Sequence, residues 1–208
     1  MAESAETGTR GGALGERAAS VMDRRPLLIV LLFALLTATP GAWSLPPLDR
    51  DEARFAQATA QMLETGDFIA IRFQDDERNK KPAGIHWLQA ASVAAFSDVA
   101  AREIWAYRLP SILGAVLAAL LTYWIGASLF DRRSGVLAAL LFASCLGVIG
   151  EATIAKTDAV LTATVVAAQG ALAKLYLQVR QGGGGDWRWA LAFWAAIGVS
   201  TLIKGPVG

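Results

Sequence analysis

A single cysteine and a single histidine stand among 208 residues. One thiol excludes an intramolecular disulfide framework and a cysteine-rich zinc site, and one imidazole excludes a multi-histidine metal centre. Charge is also scarce: 18% of residues are charged, against about 25% in an ordinary globular domain. Lys and Arg number 19 and Asp and Glu 18, a formal charge of +1, so no bulk attraction draws the chain to nucleic acid. What is present in excess is apolar. Hydrophobic residues make up 54% of the chain and mean hydropathy is +0.42, which argues against a soluble globule. Seven Trp and 20 Gly suit a protein with interfacial aromatics and closely packed helices.

Five apolar runs approach the length needed to cross a bilayer, roughly 17–25 residues. They cover 26–45, where Pro40-Gly41 predicts a kink or early exit, then 109–130, 134–150, 159–179 and 187–203. Charges fall between these runs and almost never inside them. The expected fold is therefore an all-α integral membrane protein with about five spans. Residues 1–25 are small, polar and mixed in charge, and read as a disordered cytoplasmic N-terminus. No clean small-x-small cleavage site follows the first run, so 26–45 reads as an uncleaved anchor rather than a signal peptide.

Arg24-Arg25, Arg132-Arg133 and Arg180 with Arg188 place the N-terminus and the even loops in the cytoplasm. The loop 46–108 then falls outside. Yet it carries Arg50, Arg54, Arg72, Arg78, Lys80, Lys81, Arg102 and Arg108, against the charge rule. Such a basic outer loop needs another reason for its charge, and phosphate is the obvious one.

Within this loop, 51–65 reads as an amphipathic helix with Phe55, Thr59, Met62 and Leu63 on one face. Asp49 can cap it, Glu52 stands three residues later as in a capping box, and Gly66 can close it. Residues 67–82 alternate in charge and read as a loop ending in Lys80-Lys81-Pro82. Residues 83–96 suit a helix lying in the membrane interface, with His86 as an interfacial hydrogen-bonding group. Two more charged spots, 151–158 and Lys204-Gly205-Pro206, lie at span ends on the same side, where charge costs least. Asp51, Lys81, Asp158 and Lys204 thus converge on one membrane face. Carboxylates there can take a proton from an acceptor hydroxyl, and cations can stabilise a departing phosphate.

The same residues carry a resemblance. P-L-D-R-D-E-A-R-F-A-Q-A-T-A-Q-M-L-E-T-G-D-F (47–68), N-K-K-P-A-G-I-H-W-L-Q-A (79–90), Y-R-L-P-S (107–111), A-T-I-A-K-T-D (152–158) and L-I-K-G-P-V-G (202–208) resemble, in order, the N-terminal part of GT-C type membrane glycosyltransferases. The protein O-mannosyltransferases and the bacterial aminoarabinose transferases that modify lipid A are the nearest in pattern. The resemblance covers about 26–208 and implies a fragment of a longer GT-C domain, inactive on its own. It implies transfer of a sugar from a polyprenyl-phosphate carrier to a lipid or protein acceptor at the periplasmic face. Carried over position by position, it implies catalytic acids at Asp51, Glu52 and Asp158, and phosphate-binding cations at Arg54, Lys81 and Lys204. Phe55 and His86 where tyrosine is common, Lys80 where glutamate often precedes Lys-Pro, and Ala83 for a second proline leave the sugar open. Asp51, Glu52 and Asp158 could share a divalent ion, but the sequence defines no metal site. A transporter would want ionisable groups at the bilayer midplane, and the runs lack them. A non-catalytic scaffold is the other rival.

Overall fold

The structure is a computed structural model, and it describes residues 24–78 and 80–206. The reading of 1–25 as disordered falls almost wholly outside the described residues. Among the described residues there are eight α-helices: α1 (Pro26–Ala38), α2 (Arg50–Thr65), α3 (Gly84–Phe96), α4 (Ile104–Leu129), α5 (Arg132–Ala143), α6 (Leu146–Ala152), α7 (Asp158–Arg180) and α8 (Trp187–Lys204). A hairpin of two short antiparallel strands, β1 (Arg72–Phe73) and β2 (Asp76–Glu77), joins α2 to α3. The fold is all-α, as the apolar runs require.

Only α4 and α7 are by themselves long and apolar enough to cross a membrane. The run at 134–150 is not one straight helix: α5 and α6 meet at a 64° bend and together pass the same test as a broken span. The run at 26–45 exits early. Its helix stops at Ala38, the Thr39 hydroxyl donates back to the Leu35 carbonyl at 2.8 Å, and Gly41 turns the chain at φ +83. At about 1.5 Å per residue, the 13 residues of α1 reach roughly 20 Å, short of a hydrocarbon core of about 30 Å.

α4 starts five residues before the apolar run, at Ile104 rather than 109, and so draws Arg108 into the bundle. Pro110 lies inside this helix. A proline there offers no N–H to the carbonyl four residues back, and that carbonyl, of Ala106, instead accepts the Ser92 hydroxyl at 2.6 Å. α3 thereby stabilises the proline turn of α4.

The main core is built largely from alanine: Ala34, Ala38, Ala115, Ala119, Ala139, Ala143 and Ala159 pack with Val30, Ile112, Val116 and Val136. Small side chains let helix axes approach. One such close approach is where α4 crosses the start of α7, since a Cβ on Gly114 would stand 2.8 Å from the Val160 nitrogen.

α2 forms as its pattern dictates. The Asp49 carboxylate caps it by accepting from the Asp51 N–H at 3.1 Å, and Gly66 ends it with φ +70. Phe55, Thr59 and Met62 are buried against α3 and the hairpin. The stretch 67–82, read as a plain loop, folds as the hairpin because Gln61 holds its turn. The Gln61 side chain accepts from Gln74 N at 2.8 Å and donates to Gln74 O at 3.0 Å, and Gln74 has φ +58.

His86 is not an interfacial group. It is 2% exposed, lies over the Phe55 ring at 5.3 Å, and its Nδ1 is 2.8 Å from the Thr59 hydroxyl, which donates to Gln89 Oε1 at 2.8 Å. Burial, and then the positive charge of Arg78, push its pKa down from 6.5 to about 4.

Two outcomes follow for thermal melts in detergent. Gly114→Ala is expected to destabilise by about 1–3 kcal/mol through overpacking, whereas Gly198→Ala, which faces open space, stays within about 0.5 kcal/mol. For His86, the unfolded chain binds a proton below pH 6.5 that the folded chain refuses until about pH 4. Stability is therefore full above 6.5 and falls as pH drops toward 4, by up to roughly 3 kcal/mol. His86→Asn should flatten that part of the slope; an unchanged slope would contradict the assignment.

Candidate active site

The polar end of the bundle is organised around one buried ion pair. Glu52 and Arg108 are both 0% exposed. Arg108 Nε donates to Glu52 Oε1 at 2.7 Å and Nη2 to Oε2 at 3.1 Å. The remaining guanidinium protons go to backbone carbonyls: Ala42 at 3.0 Å, Leu45 at 2.8 Å and Pro46 at 3.0 Å. The carboxylate is filled as completely, since Leu48 N donates to Oε2 at 3.0 Å and Ala155 N to Oε1 at 2.9 Å. An unpaired buried charge is very costly, and a pair is tolerated only when each lone pair and proton is met. Here they are met, and the pair joins the end of α1, the start of α2, α4 and the 153–157 turn.

This corrects two expectations. Glu52 has no free acceptor for a substrate proton, since Arg108 and two backbone N–H groups occupy both its oxygens. The capping-box position is real, but its carboxylate takes the N–H of Leu48, one residue before the cap. Arg108 is likewise no part of a phosphate-attracting surface. Arg102 is also taken internally, by Glu64 at 3.5 Å and Gln57 at 3.1 Å.

Above this pair lie two more. Lys156 pairs with Asp49, and the Lys156 carbonyl accepts from Ser111 at 3.3 Å. The Lys156 hydrogen bond, with the Asp51 N–H adding to it, holds the Asp49 carboxyl below its ordinary range. Burial works against the Lys156 ammonium, but Asp49 outweighs it and the lysine stays above its usual value. Asp158, first residue of α7, pairs with Lys204, last residue of α8. Each also sits at the helix end whose dipole suits its charge. Glu151, in α6, keeps a buried Oε2 with no hydrogen-bond partner among the described residues.

Asp51 faces the other way. Its side chain is 51% exposed and reaches Arg54 at 3.5 Å and Arg78 at 4.0 Å. With Arg54, Phe73, Asp76, Glu77, Arg78, Lys80 and Lys81 it lines an open cavity of about 620 Å³. The Arg78 guanidinium lies over Phe55 at 5.3 Å and Phe73 at 6.0 Å. A second, apolar groove of about 460 Å³ runs between α3, α4, α7 and α8, past Leu88, Leu113, Leu117, Val160 and Val199. Where α3 begins, Gly84 is so close to the Leu202 carbonyl of α8 that a Cβ there would stand 2.5 Å from it.

Of the six expected site residues, Asp51, Arg54 and Lys81 share the cavity, Asp158 and Lys204 form a separate pair, and Glu52 is interior. Among the described residues no group of three or more His, Cys, Asp or Glu could hold a metal ion; Glu52 is saturated and Asp158 is bound to Lys204. The pairing of Lys156 and the Arg108 partnership escaped the sequence reading, and Arg78 entered it only as one of the basic residues of the outer loop. For Arg108 there was a signal, because an arginine next to a charge-free apolar run needs a buried acid.

Comparison with known proteins fits this architecture. A model of the dolichyl-phosphate-mannose-protein mannosyltransferase family matches residues 49–208. The undecaprenyl phosphate-alpha-4-amino-4-deoxy-L-arabinose arabinosyl transferase of Yersinia pestis (strain Pestoides F) is 30% identical over 175 residues, 84% of this chain and 29% of that protein. The corresponding protein of Pectobacterium atrosepticum is 31% identical over 152 residues, 72% and 26% of the two chains. The fold matches ArnT from Cupriavidus metallidurans in the apo state, with TM-score 0.72, 22% identity, and 86% of this chain against 33% of that one. It matches the same protein bound to undecaprenyl phosphate with TM-score 0.73 and 20% identity, over 88% of this chain and 33% of that one. The chain thus spans about three tenths of the length of the curated relatives it matches. With the family model covering everything from the α2 cap onward, this chain belongs to the dolichyl-phosphate-mannose-protein mannosyltransferase family.

Proposed function

We propose that this chain forms the donor-phosphate side of a glycosyltransferase site, which moves a sugar from a polyprenyl-phosphate carrier to a lipid A-like or protein acceptor. The site faces the periplasm at a bacterial inner membrane, with the N-terminus in the cytoplasm. The observation that carries this reading is the outer cavity at the end of an apolar bundle: the half-exposed Asp51 carboxylate stands beside Arg54, in a lining that also holds Arg78, Lys80 and Lys81 and the acids Asp76 and Glu77. A membrane-bound anion meets a carboxylate base there, which neither a transporter nor a scaffold calls for.

In the reaction the acceptor oxygen attacks the anomeric carbon, and the bond from that carbon to the phosphate oxygen breaks. The electron pair leaves with the phosphate. Asp51 takes the acceptor proton. Arg54 and Lys81 offset the charge that builds on the leaving phosphate, and Lys204 does so from the rim when it lets go of Asp158. Asp158 otherwise keeps Lys204 in place and is the second acid of the site. Glu52, saturated by Arg108, holds Asp51 in its orientation. The apolar groove past Leu113 and Val160 has the character an isoprenoid tail requires.

The test is sugar transfer in proteoliposomes loaded with polyprenyl-phosphate sugars, using the protein at its natural length. Asp51→Asn is expected to lower transfer by about 100-fold or more, the range of general-base catalysis, with an unaltered melting curve. Transfer that survives the substitution would move the base to Asp158. No transfer by the unaltered protein from any such donor would overturn the reading.

A further inference from the structure

Two arginines flank this site and are used in opposite ways. Arg108 spends its whole guanidinium on Glu52 and backbone carbonyls. Arg78 does not. Its Nη1 is buried and has no hydrogen-bond partner among the described residues, and Nη2 reaches only Asp51, at 4.0 Å, beyond hydrogen-bond distance. The side chain is nonetheless 16% exposed and held in place, lying over Phe55 at 5.3 Å and near Phe73 at 6.0 Å. Aromatic faces attract a guanidinium and order its plane without using its edge donors.

A buried donor with no acceptor is a costly arrangement, and it borders a cavity whose other cations are Arg54 on α2 and Lys80 and Lys81 before α3, with Asp51, Asp76 and Glu77 as its acids. The planar fork of arginine matches two oxygens of a phosphate at once, where an ammonium acts as a point charge. Burial also lowers the guanidinium's hold on its proton, opposed by the Asp51 charge and aided by Arg54, so an added anion relieves like-charge crowding between Arg54 and Arg78.

We propose that Arg78 is a phosphate-anchoring residue: its stacked guanidinium takes the anionic oxygens of the polyprenyl phosphate, while Lys81 adds charge from the loop. This inference rests on the donor-phosphate reading above and gives that site a residue which neither the motif pattern nor the resemblance supplied. When the anion binds, the weak contact from Arg78 to Asp51 gives way, leaving Asp51 to Arg54 and the acceptor.

The experiment measures binding of farnesyl phosphate, with farnesol and inorganic phosphate as separate arms, to the protein in phosphatidylcholine nanodiscs. Arg78→Gln, Arg78→Lys and Arg72→Gln are compared. Arg72 is an exposed arginine of the same hairpin outside the cavity lining, so it controls for net charge. The expected result is preference for farnesyl phosphate over farnesol, weakened about 10- to 100-fold by Arg78→Gln, less so by Arg78→Lys, and unchanged by Arg72→Gln. Competition by inorganic phosphate would identify the headgroup as the recognised part, and weak competition would give the tail a share without releasing Arg78. Should Arg78→Gln fail to fold by its melting curve, Arg78→Lys decides alone. Unchanged affinity in the folded Arg78 variants, with preference for the phosphate kept, overturns the proposal and spares the donor reading. No preference for farnesyl phosphate over farnesol in the unaltered protein overturns both.

Discussion

Placing one carboxylate and one guanidinium out of water, with all their hydrogen bonds met, is the constraint on which the polar end of this bundle depends. Glu52 and Arg108 are 56 residues apart in sequence, and the groups that complete their shells come from the ends of α1, α2 and α4 and from the 153–157 turn. If any one segment moves, a buried charge loses a partner. The pair also sets the orientation of its neighbour. Consecutive residues of an α-helix point about 100° apart, so drawing Glu52 inward turns Asp51 outward, where it is half exposed beside Arg54. One Asp-Glu dipeptide therefore supplies an interior strut and an exposed acid.

The same separation of roles runs through the remaining charges. A bundle with an alanine core and apolar flanks has little room for ionic groups, so they gather at helix ends and in the connecting turns. Asp49–Lys156 and Asp158–Lys204 tie the 153–157 turn to the caps of α2 and α8. A further set, Asp51, Arg54, Asp76, Glu77, Arg78, Lys80 and Lys81, gathers around the outer cavity. The basic residues of the outer loop thus include structural arginines at 102 and 108 and a cavity group of Arg54, Arg78, Lys80 and Lys81 that shares its lining with three carboxylates.

Much of the fold was legible because it is local. The α2 cap at Asp49, its buried Phe55–Thr59–Met62 face and its Gly66 stop each follow from periodicity and end chemistry. The apolar runs located all the long helices. Contacts between distant residues were not legible. Arg108 reads as a loop residue until Glu52 is seen to need it. Pro110 argues against a helix until Ser92 arrives to take the Ala106 carbonyl. The hairpin depends on Gln61, thirteen residues from the turn it clasps. Of the residues the resemblance implied, the structure gathers Asp51, Arg54 and Lys81 on one cavity, pairs Asp158 with Lys204 and buries Glu52, because a sequence pattern does not reveal which of two adjacent acids faces inward. Arg78 was one basic residue among eight in the outer loop, with nothing to single it out; its standing comes from the rings of Phe55 and Phe73 and an unmet donor.

The central claim, that the Glu52–Arg108 pair is the strut on which the site is built, is tested most directly by a double-mutant cycle. Glu52→Gln, Arg108→Gln and the double variant would be unfolded in detergent and their stabilities compared with the unaltered protein. The account predicts that each single substitution costs about 3–5 kcal/mol, because it strands a buried charge. The double variant should cost little more than either alone, a strong coupling. Singles that each cost under about 1 kcal/mol and add independently would contradict it, and Glu52 would then return as a candidate for the chemistry.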